Sequence, residues 1–209
     1  MVKIVHISDT HLKEFNPEPG DILIHSGDAL NYGNELVAFR EQLIPIHQNY
    51  KHIIFVPGNH DRLFESDFLY CRGFLKELIP NIHILHNEGI ELEGFKIYGT
   101  ADQPQFYNWA FNRDPHELYT SYANIPDDTE ILITHCPAKG MRDMVYGKSV
   151  GSPELAYNIP RFKNLKLHAF GHIHSSQGLT NIDGICYSNG SMVDERYQPG
   201  YKENIVELP

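Results

Sequence analysis

The chain alternates short apolar runs with polar turns, and three of those runs finish alike. Val2-Lys3-Ile4-Val5-His6-Ile7-Ser8, Asp21–Ser26 and His52–Val56 are rich in β-branched residues and too short for helices, so each reads as a strand. His52-Ile53-Ile54-Phe55-Val56 stops at Pro57 and gives way to Gly58-Asn59-His60-Asp61. In the same way Ile22-Leu23-Ile24-His25-Ser26 runs into Gly27-Asp28, and Leu167-His168-Ala169-Phe170 into Gly171-His172-Ile173-His174. A strand that ends in glycine and then presents metal-competent side chains reads as one feeding a site.

Between these strands, apolar Leu36, Val37, Phe39, Leu43, Ile44 and Ile46 predict a helix over about 34–48 that Pro45 bends or ends. A second helix is predicted from Ser66, as its N-cap, to Ile79, where Pro80 stops it. Ile82–His86, Ile90–Leu92 and Phe95–Tyr98 read as short strands with Glu93-Gly94 as a tight turn, an antiparallel insertion or sheet edge. Thr100–Asp114 is a long polar and aromatic loop, of a length that in compact domains goes with function. A short helix near Pro115–Ala123 precedes the strand Glu130–Thr134, which ends in His135-Cys136-Pro137. After the loop Ala138–Gly151 come a short helix over Ser152–Asn158 and the strand Leu165–Phe170. The tail reads as strands Leu179–Ile182, Ile185–Ser188 and Ile205–Leu208, with Asp183-Gly184 as a hairpin turn. The expected architecture is α/β: a four-layer α/β/β/α sandwich of two mixed sheets flanked by helices, with chemistry where strands end.

The 209 residues fit a single domain over 1–209. A formal charge of −10 argues against holding long nucleic acid, which needs clustered Lys and Arg. No apolar run approaches a membrane span and no signal sequence is recognised, so an intracellular, cytoplasmic protein is expected. Cys71, Cys136 and Cys186 have no paired spacing and are expected to be reduced. Nothing specifies an oligomer.

The 13 histidines change the picture more. His25 and His168, inside strand runs, read as core groups with their hydrogen bonds met, and His47, His52, His83, His86 and His116 as surface or element-end residues. The strand ends supply the remaining candidates: Asp9, His11, Asp28, Asn59, His60, His135, His172 and His174. Side chains two apart in an extended segment face the same way, so Asp9 and His11 can converge on one cation. Imidazole nitrogens mixed with carboxylate and amide oxygens suit Mn, Fe, Zn, Ni or Co. Eight groups are too many for one ion and right for two, and Asp28 can bridge the pair because a carboxylate offers about four lone-pair sites. Two such cations, roughly 3.5–4 Å apart, activate a shared water and clamp a phosphate.

Asp9-x-His11, Gly27-Asp28, Gly58-Asn59-His60-Asp61, Thr134-His135-x-Pro137 and Gly171-His172-x-His174 resemble the five ordered motifs of the calcineurin-like metallophosphoesterases. Within that superfamily Gly20–Asp28, Phe106–Asn112, Ile131–Pro137 and Leu165–Gly171 resemble the metallophosphoesterase-domain (MPPED-like) branch. The resemblance implies one metal on Asp9, His11, Asp28 and His174 and another on Asp28, Asn59, His135 and His172, with manganese first among the candidates. It further implies attack by a bridging hydroxide, with His60 contacting the phosphate and protonating the leaving oxygen, and Asp61 orienting His60. Some relatives carry glycine for a histidine of the last motif and lose much activity; this chain keeps both.

The implied activity is a phosphodiesterase on a small substrate such as a cyclic nucleotide. A phosphomonoesterase is the alternative within enzymes, and a non-catalytic scaffold of the same fold the alternative outside them. Arg113 and Arg142 either grip a phosphate oxygen or make ordinary ion pairs. Phe106, Tyr107, Trp109 and Phe111 either stack a base or pack the loop. Cys136 reads as a small buried filler.

Overall fold

A computed structural model describes all residues 1–209. In chain order its elements are β1 (Val2–Ile7), β2 (Ile22–His25), α1 (Leu36–Leu43), β3 (His52–Phe55), α2 (Arg62–Ser66), α3 (Phe68–Lys76), β4 (Ile82–Ile84), β5 (Glu88–Leu92) and β6 (Phe95–Thr100). They continue with β7 (Gln103–Pro104), β8 (Asn112–Arg113), α4 (Pro115–Ala123), β9 (Ile131–Thr134), β10 (Met144–Val145), β11 (Lys148–Ser149), α5 (Pro153–Asn158), β12 (Leu167–Phe170), β13 (Gly178–Ile182), β14 (Ile185–Asn189) and β15 (Asn204–Leu208).

Two large sheets result, of order β15-β1-β2-β3-β4 and β13-β14-β12-β9-β6-β5, beside the two-stranded pairs β7-β8 and β10-β11. β1, β2, β3 and β4 run parallel, as do β6, β9, β12 and β14; antiparallel β15 closes one edge of the first sheet, and antiparallel β13 and β5 close both edges of the second. Parallel strands covered on both faces read as unbroken apolar runs rather than alternating ones. Ile22–His25, Ile131–Thr134 and Leu167–Phe170 are accordingly buried throughout. Ile4, Ile24, Ile54, Ile97, Ile133 and Ala169 belong to one core that reaches Phe39, Phe64 and Leu75 of α1, α2 and α3. A smaller core joins Leu132, Phe170 and Tyr187 to Leu118 and Tyr122 of α4 and Leu155 of α5. The four expected layers are present.

The seam between the sheets is partly polar, which the sequence did not advertise. His6 sits there fully buried, Nδ1 2.6 Å from Ser188 Oγ and Nε2 2.9 Å from Ser26 Oγ. Beyond it Ser8 and Ser191 pair as an isolated parallel bridge, tying the end of β1 to the end of β14.

Several boundaries move. The helix predicted from Ser66 to Ile79 is α3, Phe68–Lys76, with α2 before it, and its cap is Asp67, whose carboxylate accepts from the Tyr70 amide. Ser66 instead closes α2, its hydroxyl donating to the Leu63 carbonyl. Both residues are good caps, and the one adjacent to the helical φ/ψ run prevails. α1 ends at Leu43, two residues before Pro45. Residues 82–98 are not one insertion: β4 joins the first sheet, whereas β5 and β6 form an edge hairpin of the second. Glu93 (φ 52°) and Gly94 (φ 82°) make its two-residue turn, and Asp183 (φ 52°) with Gly184 (φ 83°) does the same between β13 and β14.

Candidate metal centre

Parallel strands bring their C-terminal ends to one edge, so residues distant in sequence meet there. Asp9 and His11 follow β1, Asp28 follows β2, Asn59 and His60 follow β3, His135 follows β9, and His172 and His174 follow β12. The flanking glycines are required by close approach: side-chain atoms on Gly58 and Gly171 would collide with the carboxylates of Asp28 and Asp9. Asp9, His11, Asp28 and His172 all take positive φ, which lets each ligand side chain leave its strand end sharply.

Three sets of potential ligand atoms lie within 4.8 Å of one another: Asp9, His11 and His174; His11, Asp28 and His60; and Asp28, His135 and His172. Asp28 is common to two of them. Its Oδ2 stands 3.9 Å from His11 Nε2 on one side and 3.3 Å from His135 Nε2 on the other. Asn59 Oδ1 is 3.1 Å from the same His135 nitrogen. Asp9 Oδ1 lies 3.4 Å from His174 Nε2.

The imidazoles are pre-oriented. Nδ1–H of His11 donates to the Leu30 carbonyl (3.2 Å), that of His135 to Ser26 (2.8 Å), that of His174 to Asp194 (3.0 Å) and that of His60 to Asn31 (2.7 Å). Each ring therefore turns Nε2 inward, and backbone carbonyls in this position fix the tautomer a metal requires. His11 Nε2 is buried without any partner, a costly arrangement unless something else accepts its lone pair. The residues fit a pair of cations.

Electrostatics agree. Burial works against charge on His135, yet Asp28 beside it raises its pKa to about 9. Burial and the His135 charge push His172 down to about 4. Burial opposes ionisation of Asp28, but the charge of His135 and a hydrogen bond from it hold the carboxyl well below its usual range. Protons stand in for the positive charge that the cluster needs.

Asp61 makes no hydrogen bond to the His60 ring. Its buried carboxylate accepts from the amides of Gly58 (2.7 Å), Leu30 (2.9 Å) and Ala29 (3.4 Å), locking the turns after β2 and β3 together, while the Asn31 carbonyl orients the imidazole. A carboxylate is drawn to a set of otherwise unmatched backbone donors in the interior. Burial and then the Asp28 charge raise its pKa to about 7. Arg113 and Arg142 are also engaged away from the site: Arg113 Nε pairs with Asp102 at 3.0 Å, and Arg142 donates to the carbonyls of Ser176 and Leu179.

The cluster forms the floor of a cavity of about 390 Å³, walled by Pro104, Phe106, Cys136, Val145, Val150, Ile173, Glu195 and Tyr197. Trp109 stacks on His60, centroids 4.0 Å apart and 28° between planes, with the Arg62 guanidinium 4.7 Å from the indole centroid. Three contributions escaped sequence reasoning. Ser191 Oγ donates to Asp9 Oδ2 (2.8 Å), Asp194 positions His174, and the β10–β11 hairpin supplies Val145. That hairpin turns on Tyr146 (φ 46°) and Gly147 (φ 77°), a tyrosine where Asn or Asp would have signalled the turn.

The family model of the calcineurin-like phosphoesterases matches residues 2–176, the stretch that carries every one of these strand-end side chains. This chain is a calcineurin-like phosphoesterase. Metallophosphoesterase domain-containing protein 1 of Homo sapiens and that of Mus musculus are each 33% identical to it over 99% of this chain and 71% of theirs. The crystal structure of phosphopantetheinyl hydrolase from Mycobacterium tuberculosis shares the fold, with a TM-score of 0.61 at 15% identity over 98% of this chain and 95% of that one. As a member of its family this phosphoesterase is a metal-dependent hydrolase of phosphoesters. No helix is long and apolar enough to cross a membrane.

Proposed function

We propose that this phosphoesterase, acting as one domain over 1–209, is a phosphodiesterase for small substrates, with cyclic nucleotides the first class to test. The observation that carries this reading is the cavity lining, which contains no Lys or Arg and does contain Glu195. A phosphomonoester presents a dianionic terminal group that such walls do nothing to neutralise, whereas a diester carries one negative charge. Phe106, 45% exposed at the mouth and edge-on to His172, offers an apolar face for a planar base.

Asp9, His11, Asp28 and His174 would hold one cation and Asp28, Asn59, His135 and His172 the other, with manganese the first candidate. Bound there, the cations supply Lewis-acid polarisation of a phosphoryl oxygen and neutralise developing charge. His60, fixed through Nδ1 by Asn31 and through its face by Trp109, turns Nε2 toward the cavity, contacts the phosphate and delivers a proton to the leaving oxygen. Asp61 acts at one remove, by holding the turns that carry Asp28 and His60. The intact ligand set speaks against a non-catalytic scaffold, three unpaired cysteines favour the cytoplasm, and the charge of −10 disfavours long nucleic acid.

With Mn added, kcat/KM for bis-p-nitrophenyl phosphate should exceed that for p-nitrophenyl phosphate at least about tenfold. A panel of 3′,5′- and 2′,3′-cyclic nucleotides should include a better substrate still. A preference for the monoester would overturn the diesterase assignment.

A further inference from the structure

Tyr197 lies outside the stretch matched by the family model, yet it lines the cavity beside Asp28, His60 and His174. Its ring meets three imidazoles, at centroid distances of 4.7 Å from His11, 5.3 Å from His174 and 6.2 Å from His60. The side chain arrives there through a tight turn built on Asp194. The Asp194 carbonyl accepts from the Tyr197 amide (2.9 Å), its Oδ1 from the amides of Arg196 (2.8 Å) and Gln198 (2.9 Å), and its own amide donates to the Gln198 carbonyl (2.8 Å). The same Asp194 carbonyl accepts from His174 Nδ1, so one residue sets both a strand-end imidazole and the tyrosine above it.

The turn places Tyr197 at φ 58°, a left-handed conformation that favours Gly or Asn. Either of those would serve the turn better than an aromatic residue, and the tyrosine is 42% exposed rather than sunk into a core. A strained residue held over a reactive centre points to a function of its side chain. The function follows from what the cavity lacks. With no Lys or Arg in the lining, a phosphoryl oxygen that the cations and His60 do not take is left to neutral donors, and the phenol is one.

We infer that the Tyr197 hydroxyl donates a hydrogen bond to a non-bridging phosphoryl oxygen of the bound diester, and that the segment after β14 thereby completes the substrate site. The inference rests on the phosphodiesterase reading above.

Tyr197→Phe removes the hydroxyl and keeps the ring contacts; Tyr197→Ala removes both. Three quantities are read on Mn-loaded protein: Mn content per chain, the Kd for inorganic phosphate by calorimetry, and kcat/KM for bis-p-nitrophenyl phosphate. In Tyr197→Phe, Mn content should stay at the wild-type value, phosphate binding should weaken about tenfold, and kcat/KM should fall about 10- to 100-fold, as expected for loss of one hydrogen bond to a charged group. A Tyr197→Phe protein that equals wild type while Tyr197→Ala is impaired would reduce the residue to ring packing and overturn the inference, as would loss of Mn in Tyr197→Phe. A wild type that cleaves only monoesters, with phosphate binding still weakened in Tyr197→Phe, would remove the diesterase reading and keep the tyrosine as a phosphoryl ligand. A wild type that binds no phosphate and cleaves neither ester would remove both.

Discussion

The floor and the rim of the cavity are built by different physics. The floor hangs from parallel strands whose pairing fixes position and direction, and its ligand side chains are almost wholly buried: Asp9, His11, Asp28, Asn59 and His135 expose 3% or less. The rim comes from three connections, 103–113, 138–151 and 190–200, and exposes aromatic residues such as Tyr107 and Tyr146. Strand ends give a donor set that can hold a fixed coordination geometry, and loops give a surface that can change with the substrate. Floor substitutions should therefore abolish chemistry, and rim substitutions should redirect or weaken it.

The largest effect is expected at the residue shared by two ligand groups. Asp28→Ala should lower activity by at least about 10³-fold and reduce occupancy of both metal positions, read by elemental analysis. A variant that retains two metals would break the claim that Asp28 belongs to both halves of the floor. His60→Ala tests the join between floor and rim: metal content should persist while kcat falls by roughly 10²- to 10³-fold. Unchanged turnover would remove His60 from the reaction. Trp109→Ala lies on the rim and acts only through the imidazole it stacks on. A loss of about fivefold in kcat is expected at full metal content, because one aromatic stack contributes about 1 kcal/mol. If it matched His60→Ala in size, the rim would be as indispensable as the floor and the distinction would fail.

The smallest effect at neutral pH concerns the interior behind the floor. Burial drives the pKa of His6, His25 and His168 down to about 3, so the folded protein holds them neutral. The unfolded chain takes up these protons below about 6.5 and the folded chain only near 3. Stability contributed by these groups is thus complete above pH 6.5 and declines as pH falls toward 3, by roughly 1.4 kcal/mol per pH unit for each. Thermal melts of metal-free protein at pH 7.5, 6.0 and 5.0 should show a falling Tm, and a flat profile would contradict the assignment.

The same division explains how much could be read in advance. Floor residues announce themselves because strands are continuous apolar runs and a ligand at a strand end is one step from the run, so Asp9 to His174 were all legible in order. The hairpin turns at Glu93-Gly94 and Asp183-Gly184 were legible for the same local reason. Rim contributions depend on tertiary proximity alone. Ser191 meets Asp9 across 182 positions, and nothing near either residue encodes that meeting. The Trp109 stack and the Asp61 bonds to backbone amides belong to this class, as does His168. That residue was expected to have both nitrogens satisfied, and it bonds Thr134 through Nε2 while Nδ1 has no partner.

Calorimetric titration of manganese into the metal-free protein tests the central claim most directly. Two equivalents should bind per chain, with release of about one proton near pH 7.5, because the His135 nitrogen that carries a proton up to about pH 9 must give it up to a cation. Saturation at one equivalent or none, or an observed binding enthalpy that does not change between buffers of different ionisation enthalpy, would contradict a paired-cation floor.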